Sequence, residues 1–159
     1  MLGQLKNLFS NYMFMTPIIA WFAAQFIKMI ITLIKEKRFS PMLMLFSCGG
    51  MPSSHTATVT SLFTASAIMF GFGSFEFAIS FVLMMVVITD ALGVRREAGK
   101  HAKVLNKVME EIFSGDAERS ERSLKELVGH TPVQVAMGAL VGIGVAVLMA
   151  FAMGVPFAK

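Results

Sequence analysis

The sequence predicts an all-α integral membrane bundle of about four transmembrane helices, with an amphipathic helix at the cytoplasmic face. Three observations carry that expectation. Of 159 residues, 55% are hydrophobic and only 15% charged, against about 25% charged in a soluble domain. The apolar residues gather into stretches of roughly 20, the length a helix needs to cross the hydrocarbon core. The charged residues gather between those stretches. A chain this short suits a single membrane domain, residues 1–159.

The first span covers about 11–34 and holds two polar residues, Gln25 and Lys28. Lys6 is the one charge ahead of it, and the span is too long for a cleaved signal peptide, so none is expected. The second, about 52–72, is rich in Ser and Thr in its first half. A Gly71-Phe72-Gly73-Ser74 turn leads to the third, about 75–92, which ends near Asp90. The fourth, about 132–153, contains Gly138, Gly142 and Gly144, which suit close helix packing through a G-x-x-x-G pattern. Glycine-lined helices of this kind also suit a homodimer.

The long polar segment, 94–129, separates the third and fourth spans. Its first half places Ala98, His101, Leu105, Val108 and Ile112 on one helical face with basic residues around the rest, the pattern of a helix on the membrane surface. The loop after the first span and this segment together hold 11 of the 14 Lys and Arg residues, which puts both on the cytoplasmic side of a bacterial inner membrane and both termini outside. The net charge of +4 therefore reads as a topology signal, and no nucleic-acid partner is expected. Cys48 is the single cysteine, which excludes an internal disulfide and a cysteine metal cluster.

On this topology the second and fourth spans both begin at the cytoplasmic face. Each is entered through a similar sequence, Met51-Pro52-Ser53-Ser54-His55 and Gly129-His130-Thr131-Pro132. Proline is favoured in a first helical turn, and Thr131 is an N-cap candidate. Helix starts carry N–H groups without intrahelical partners and a partial positive charge, which together hold anions such as phosphate. Lys28 inside the first span, Arg38 beyond it, and Asp90, Arg95 and Arg96 after the third collect at the same face. Ionisable groups inside a span usually face a partner or a wet cavity. The plain alternative is that the histidines and serines only start helices, Lys28 reaches for headgroups, and the arginines set topology.

A competing constellation is a metal site. A helix continued through Gly93 would place Asp90, Glu97 and His101 on one face, a spacing able to hold a divalent cation that polarises phosphate. Otherwise no cofactor is expected.

Three blocks, GGMPSSHTATVTSL, DALGVRREAGKHAKVLN and LKELVGHTPVQVAMGALVG, resemble the divergent PAP2 family, which is related to acid phosphatases and vanadium-dependent haloperoxidases. The resemblance implies that Pro52-Ser53-Ser54-His55 stands for a P-S-G-H motif, with Ser54 in place of glycine. His55 would be the general acid, Ser53 and Ser54 would hold the phosphate, and His130 would be the nucleophile that forms a phosphohistidine. Several positions depart from the ordinary PAP2 pattern. Gln134 stands four after His130 where an aspartate is usual, Ser123 and Leu124 replace a serine-arginine pair, and Lys28 is followed seven residues later by Lys35 instead of arginine. Lys28, Arg38, Arg95 and Arg96 would have to serve as phosphate clamps, with Asp90 or Gln134 orienting a histidine. Two functions stay open: a membrane phosphatase acting on a lipid-linked phosphate or pyrophosphate, and a phosphate-lipid binding or accessory protein without turnover. A transporter fits less well, since four spans are few and no inverted repeat is evident.

Overall fold

The computed structural model describes residues 7–36, 50–112 and 130–158, the side chains of 35–36, 94–96 and 110–111 excepted. Five long helices are present among them: α1 (Tyr12–Glu36), α2 (Ser54–Phe70), α3 (Phe75–Leu92), α4 (Val94–Ile112) and α5 (Pro132–Met153). No strand occurs among the described residues. Helices α1, α3 and α5 are long and apolar enough to cross a membrane. Helix α2 falls on the remaining apolar stretch but has 17 residues, about 25 Å of rise, so the expected count of four spans is approximate.

Local chemistry sets the helix ends. Asn11 starts α1, its side-chain oxygen accepting from Phe14 N–H at 3.2 Å and its carbonyl from Met15 N–H at 2.9 Å. Ser53 caps α2 and Ser74 caps α3, each hydroxyl oxygen accepting from the amide three residues on. Gly71, at φ +80°, ends α2 in a conformation that favours glycine. Between α3 and α4 the helix breaks for one residue at Gly93, although Gly93 N–H still donates to Thr89 C=O at 2.8 Å and Glu97 N–H to Gly93 C=O at 3.0 Å.

Helix α2 packs against α1, α3 and α5. Its hydroxyls would be costly in lipid if left unsatisfied, and several bond back along the helix: Thr58 to Ser54 C=O, Ser61 to Thr58 C=O, Thr64 to Thr60 C=O, each at 2.8 Å. Ser66 and Ser80 join α2 to α3 through a hydroxyl pair at 2.6 Å, beside a Phe63–Phe77 ring contact at 4.9 Å. The other side of α3 exposes Ile79, Val82, Leu83, Met85 and Val86, as a lipid-facing helix should. Along α4, Leu105, Val108 and Ile112 are likewise exposed.

Helices α2 and α5 approach each other closely at two glycines. A Cβ built on Gly138 would lie 2.4 Å from the Ser53 carbonyl oxygen, and one on Gly142 would lie 2.5 Å from that of Ala57. Both obstacles are backbone, which cannot swing aside. Gly144, grouped with them by sequence, meets nothing within 4 Å. The close-packing surface of Gly138 and Gly142 is thus taken up within the chain. Toward the far end of the bundle, Tyr12 of α1 donates to the Ala146 carbonyl at 2.9 Å and joins Ala65, Ile68, Ala146 and Ala150 in an apolar core. Sixteen residues further along α1, Lys28 lies against Gly50, just ahead of α2. Helix α1 therefore runs antiparallel to α2 and α5.

Gly138→Ala or Gly142→Ala should destabilise the detergent-solubilised protein by about 1–3 kcal/mol through overpacking. Gly144→Ala should be neutral or stabilising by up to about 1 kcal/mol, since alanine is the better helix former. Melting curves of the three variants test this, and equal effects at all three would refute the packing account.

Candidate active site

The site forms where α2 and α5 begin. Ser53 N–H donates to the Gln134 carbonyl at 3.0 Å, tying the residue before α2 to the first turn of α5. His55 is the second residue of α2. His130 stands just before Thr131, the N-cap of α5. Because the two starts are bound side by side, the two rings meet: their centroids are 6.3 Å apart, with planes at 79°. His55 is exposed at the surface and His130 is buried, 4% accessible, with its backbone N–H donating to the Ala91 carbonyl at 3.3 Å. That last bond brings the end of α3 to the site and places Asp90, half-buried, one residue away.

The serines sit inside the structure. Ser53 is fully buried, and its hydroxyl oxygen accepts from Thr56 N–H at 3.3 Å and from the Thr56 hydroxyl at 3.0 Å. Its oxygen is thus engaged in capping. Ser54 is buried as the first residue of α2. Thr131 is the cap of α5, as its sequence suggests, and it completes a capping box: Thr131 N–H donates to Gln134 Oε1 at 2.9 Å, and Gln134 N–H to Thr131 Oγ1 at 3.4 Å. The Gln134 carboxamide oxygen is therefore turned to the cap. The Ser53, Thr56, Thr131 and Gln134 amides are engaged within the protein, and Pro132 has none to offer.

Lys28 is 5% accessible, deep in the bundle. Its aliphatic stem runs under Gly50, where a Cβ would lie 3.5 Å from Lys28 Cγ and Cδ, and Gly50 has φ +90°. Lys28 thus lies close to the chain that leads into the Pro52-Ser53-Ser54-His55 entry. Arg38 lies outside the described residues, as does the second half of the 94–129 segment. Arg95 and Arg96 fall in the first turn of α4, and their side chains are outside the description too.

The metal reading fares worse. Among the described residues no group of three His, Cys, Asp or Glu side chains comes together as a metal would require. Asp90, Glu97 and His101 do not converge, because the break at Gly93 interrupts the helix that would align them. Glu97 instead pairs with Lys100 at 2.6 Å on the exposed side of α4.

Sequence reasoning gave no role to Gln25, which is 3% accessible on α1, one turn from Lys28. The signal was present: a polar side chain inside an apolar span, three residues from a lysine and so on a neighbouring face. The carbonyl of Ala91 had no sequence signature, since any residue can supply one.

A family model described as the Divergent PAP2 family matches residues 9–145. The chain is 37% identical to "Uncharacterized membrane protein YuiD" of Bacillus subtilis (strain 168) over 155 residues, covering 91% of this chain and 98% of that relative. No solved structure matches it significantly.

Gln134→Ala, which removes the side-chain arm of the capping box, should cost about 0.5–1 kcal/mol of stability. Gln134→Glu keeps the acceptor and places a negative charge in the first helical turn, so it should retain stability. Thermal unfolding in detergent discriminates; an undiminished melting point for Gln134→Ala would contradict the capping role.

Proposed function

Since this membrane protein belongs to the Divergent PAP2 family, we propose that it is a phosphatase of lipid-linked phosphates or pyrophosphates, working at the cytoplasmic face of the inner membrane. The observation that carries the reading is the pair of imidazoles, His55 and His130, 6.3 Å apart between centroids at adjoining helix starts. Reacting atoms approach to about 3–3.5 Å, so one tetrahedral phosphoryl group is of a size to meet a nitrogen of each ring. Phosphoryl transfer needs little more than positioning and charge stabilisation. Here Lys28 and the two helix dipoles supply the positive field.

In the proposed cycle a His130 nitrogen attacks phosphorus. The bond from phosphorus to the lipid oxygen breaks, and His55 gives that oxygen its proton. His55 then takes a proton from water as the water attacks the phosphohistidine. The P–N bond breaks, and phosphate leaves with both histidines restored. A site at a helix mouth suits a substrate whose tail stays in lipid. The excess of Lys and Arg in the flanking loops supports the cytoplasmic side.

A second reading has one observation in its favour. Gln134 stands where the related phosphatases have aspartate, and its side chain is tied into the capping box. An imidazolium formed during the reaction would lack that carboxylate's support. The alternative is a protein that binds phosphate lipids without turning them over, as an accessory to another enzyme.

Purified protein supplied with a panel of lipid phosphates should release phosphate. His130→Ala and His55→Ala should each lower the rate by about 100-fold or more, and an acid-labile phosphoryl label should map to His130. Tight binding of the same lipids with no release by the wild type would favour the accessory reading.

A further inference from the structure

Gln25 is a buried polar group that the proposed cycle leaves unused. Its side-chain oxygen is inaccessible to solvent and has no hydrogen-bond partner among the described residues. The Thr16 and Thr60 hydroxyl oxygens share that condition, but a hydroxyl can turn its hydrogen to a nearby helix carbonyl by one rotation. An amide oxygen only accepts. Buried without a donor it bears the desolvation penalty in full.

Its level in the bundle can be read from α1. Tyr12 is bonded to Ala146 at the far end, and Lys28 lies against Gly50 at the histidine end. Three residues are about 4.5 Å of helix, so Gln25 stands one turn deeper than Lys28, at the level where α2 starts. Ala24 and Lys28, its neighbours on α1, are also buried in the bundle. A lipid whose phosphate lies between the histidines would place its carbon skeleton, between phosphate and tail, at that depth.

We propose that Gln25 is a specificity-determining residue of this site, and that its carbonyl accepts a hydrogen bond from a free hydroxyl on the lipid skeleton beside the phosphate ester. The inference rests on the lipid-phosphate reading of the site and narrows its substrate class. A phosphate oxygen without hydrogen cannot satisfy this acceptor. Lys28 stands one turn away on the same helix, so a cationic donor would bring a second positive charge to this end of the bundle and a neutral hydroxyl is the better match. Polyprenyl phosphates, whose skeleton has no hydroxyl, would leave the carbonyl unpaired. A site that hydrogen-bonds a substrate hydroxyl rejects the analogue lacking it.

The test compares a monoacylglycerol phosphate with a free hydroxyl against the matching acyl-propanediol phosphate, which lacks only that hydroxyl. Affinity and phosphate release are measured on the full chain in detergent, for the wild type and Gln25→Leu. The wild type should prefer the hydroxyl-bearing lipid by roughly tenfold or more. Gln25→Leu should bind both at the level of the deoxy analogue, and its ligand-free melting temperature should rise, because a buried unpaired acceptor is gone. Equal wild-type affinities, a preference that survives in Gln25→Leu, or no binding of either lipid would overturn the proposal. So would a fall in melting temperature or failure of that variant to fold, since the carbonyl would then be held by the protein itself. A hydroxyl preference in binding without release from either lipid upholds Gln25 and sinks hydrolysis. Equal affinity with release from both does the reverse.

Discussion

The contact between α2 and α5 at Gly138 and Gly142 is the constraint on which the rest depends. In lipid, apolar side chains gain little by touching each other instead of solvent, so helices associate through close van der Waals contact and small residues. Here the glycines let α5 press on the Ser53 and Ala57 carbonyls. That approach lets Ser53 N–H reach the Gln134 carbonyl. One backbone hydrogen bond between two helix starts then decides where His55 and His130 stand. The placement of the two imidazoles is a consequence of helix spacing.

The bundle is unequal from end to end. Its far end is sealed by Tyr12, Ala65, Ile68, Ala146 and Ala150. The histidine end holds Gln25, Lys28, Ser53, Ser54, Thr56 and His130, all buried. Polar groups away from water are costly unless they find partners. Capping and back-bonding answer that cost for many of the serines and threonines, though not for the Thr16 and Thr60 hydroxyls, so much of the polar inventory serves helix construction. Lys28 and the two histidines gather at that same end, beside two positive helix starts. The apolar end and the polar end are joined by the glycine seam between α2 and α5.

The departures from ordinary PAP2 residues acquire physical meaning in this setting. Gln134 is engaged at its own helix start, where its oxygen completes a cap and its backbone carbonyl holds Ser53. A residue with two structural bonds is constrained by both. Asp90 comes near the site by another route, through the Ala91 carbonyl that holds the His130 backbone.

The apolar stretches, the cap at Thr131 and the amphipathic character of α4 were all legible from the sequence. Each depends on residues close together along the chain: span length, turn chemistry and helical periodicity are local properties. Tertiary structure decided the rest. It separated Gly138 and Gly142 from Gly144, because only a neighbouring backbone reveals which glycine is pressed. It turned Gln134 toward a cap, split the Asp90, Glu97 and His101 trio at Gly93, and buried Gln25 beside Lys28. Those outcomes turn on what lies across an interface or on how one residue bends a helix. Residue types and spacings do not encode either until the helices are packed.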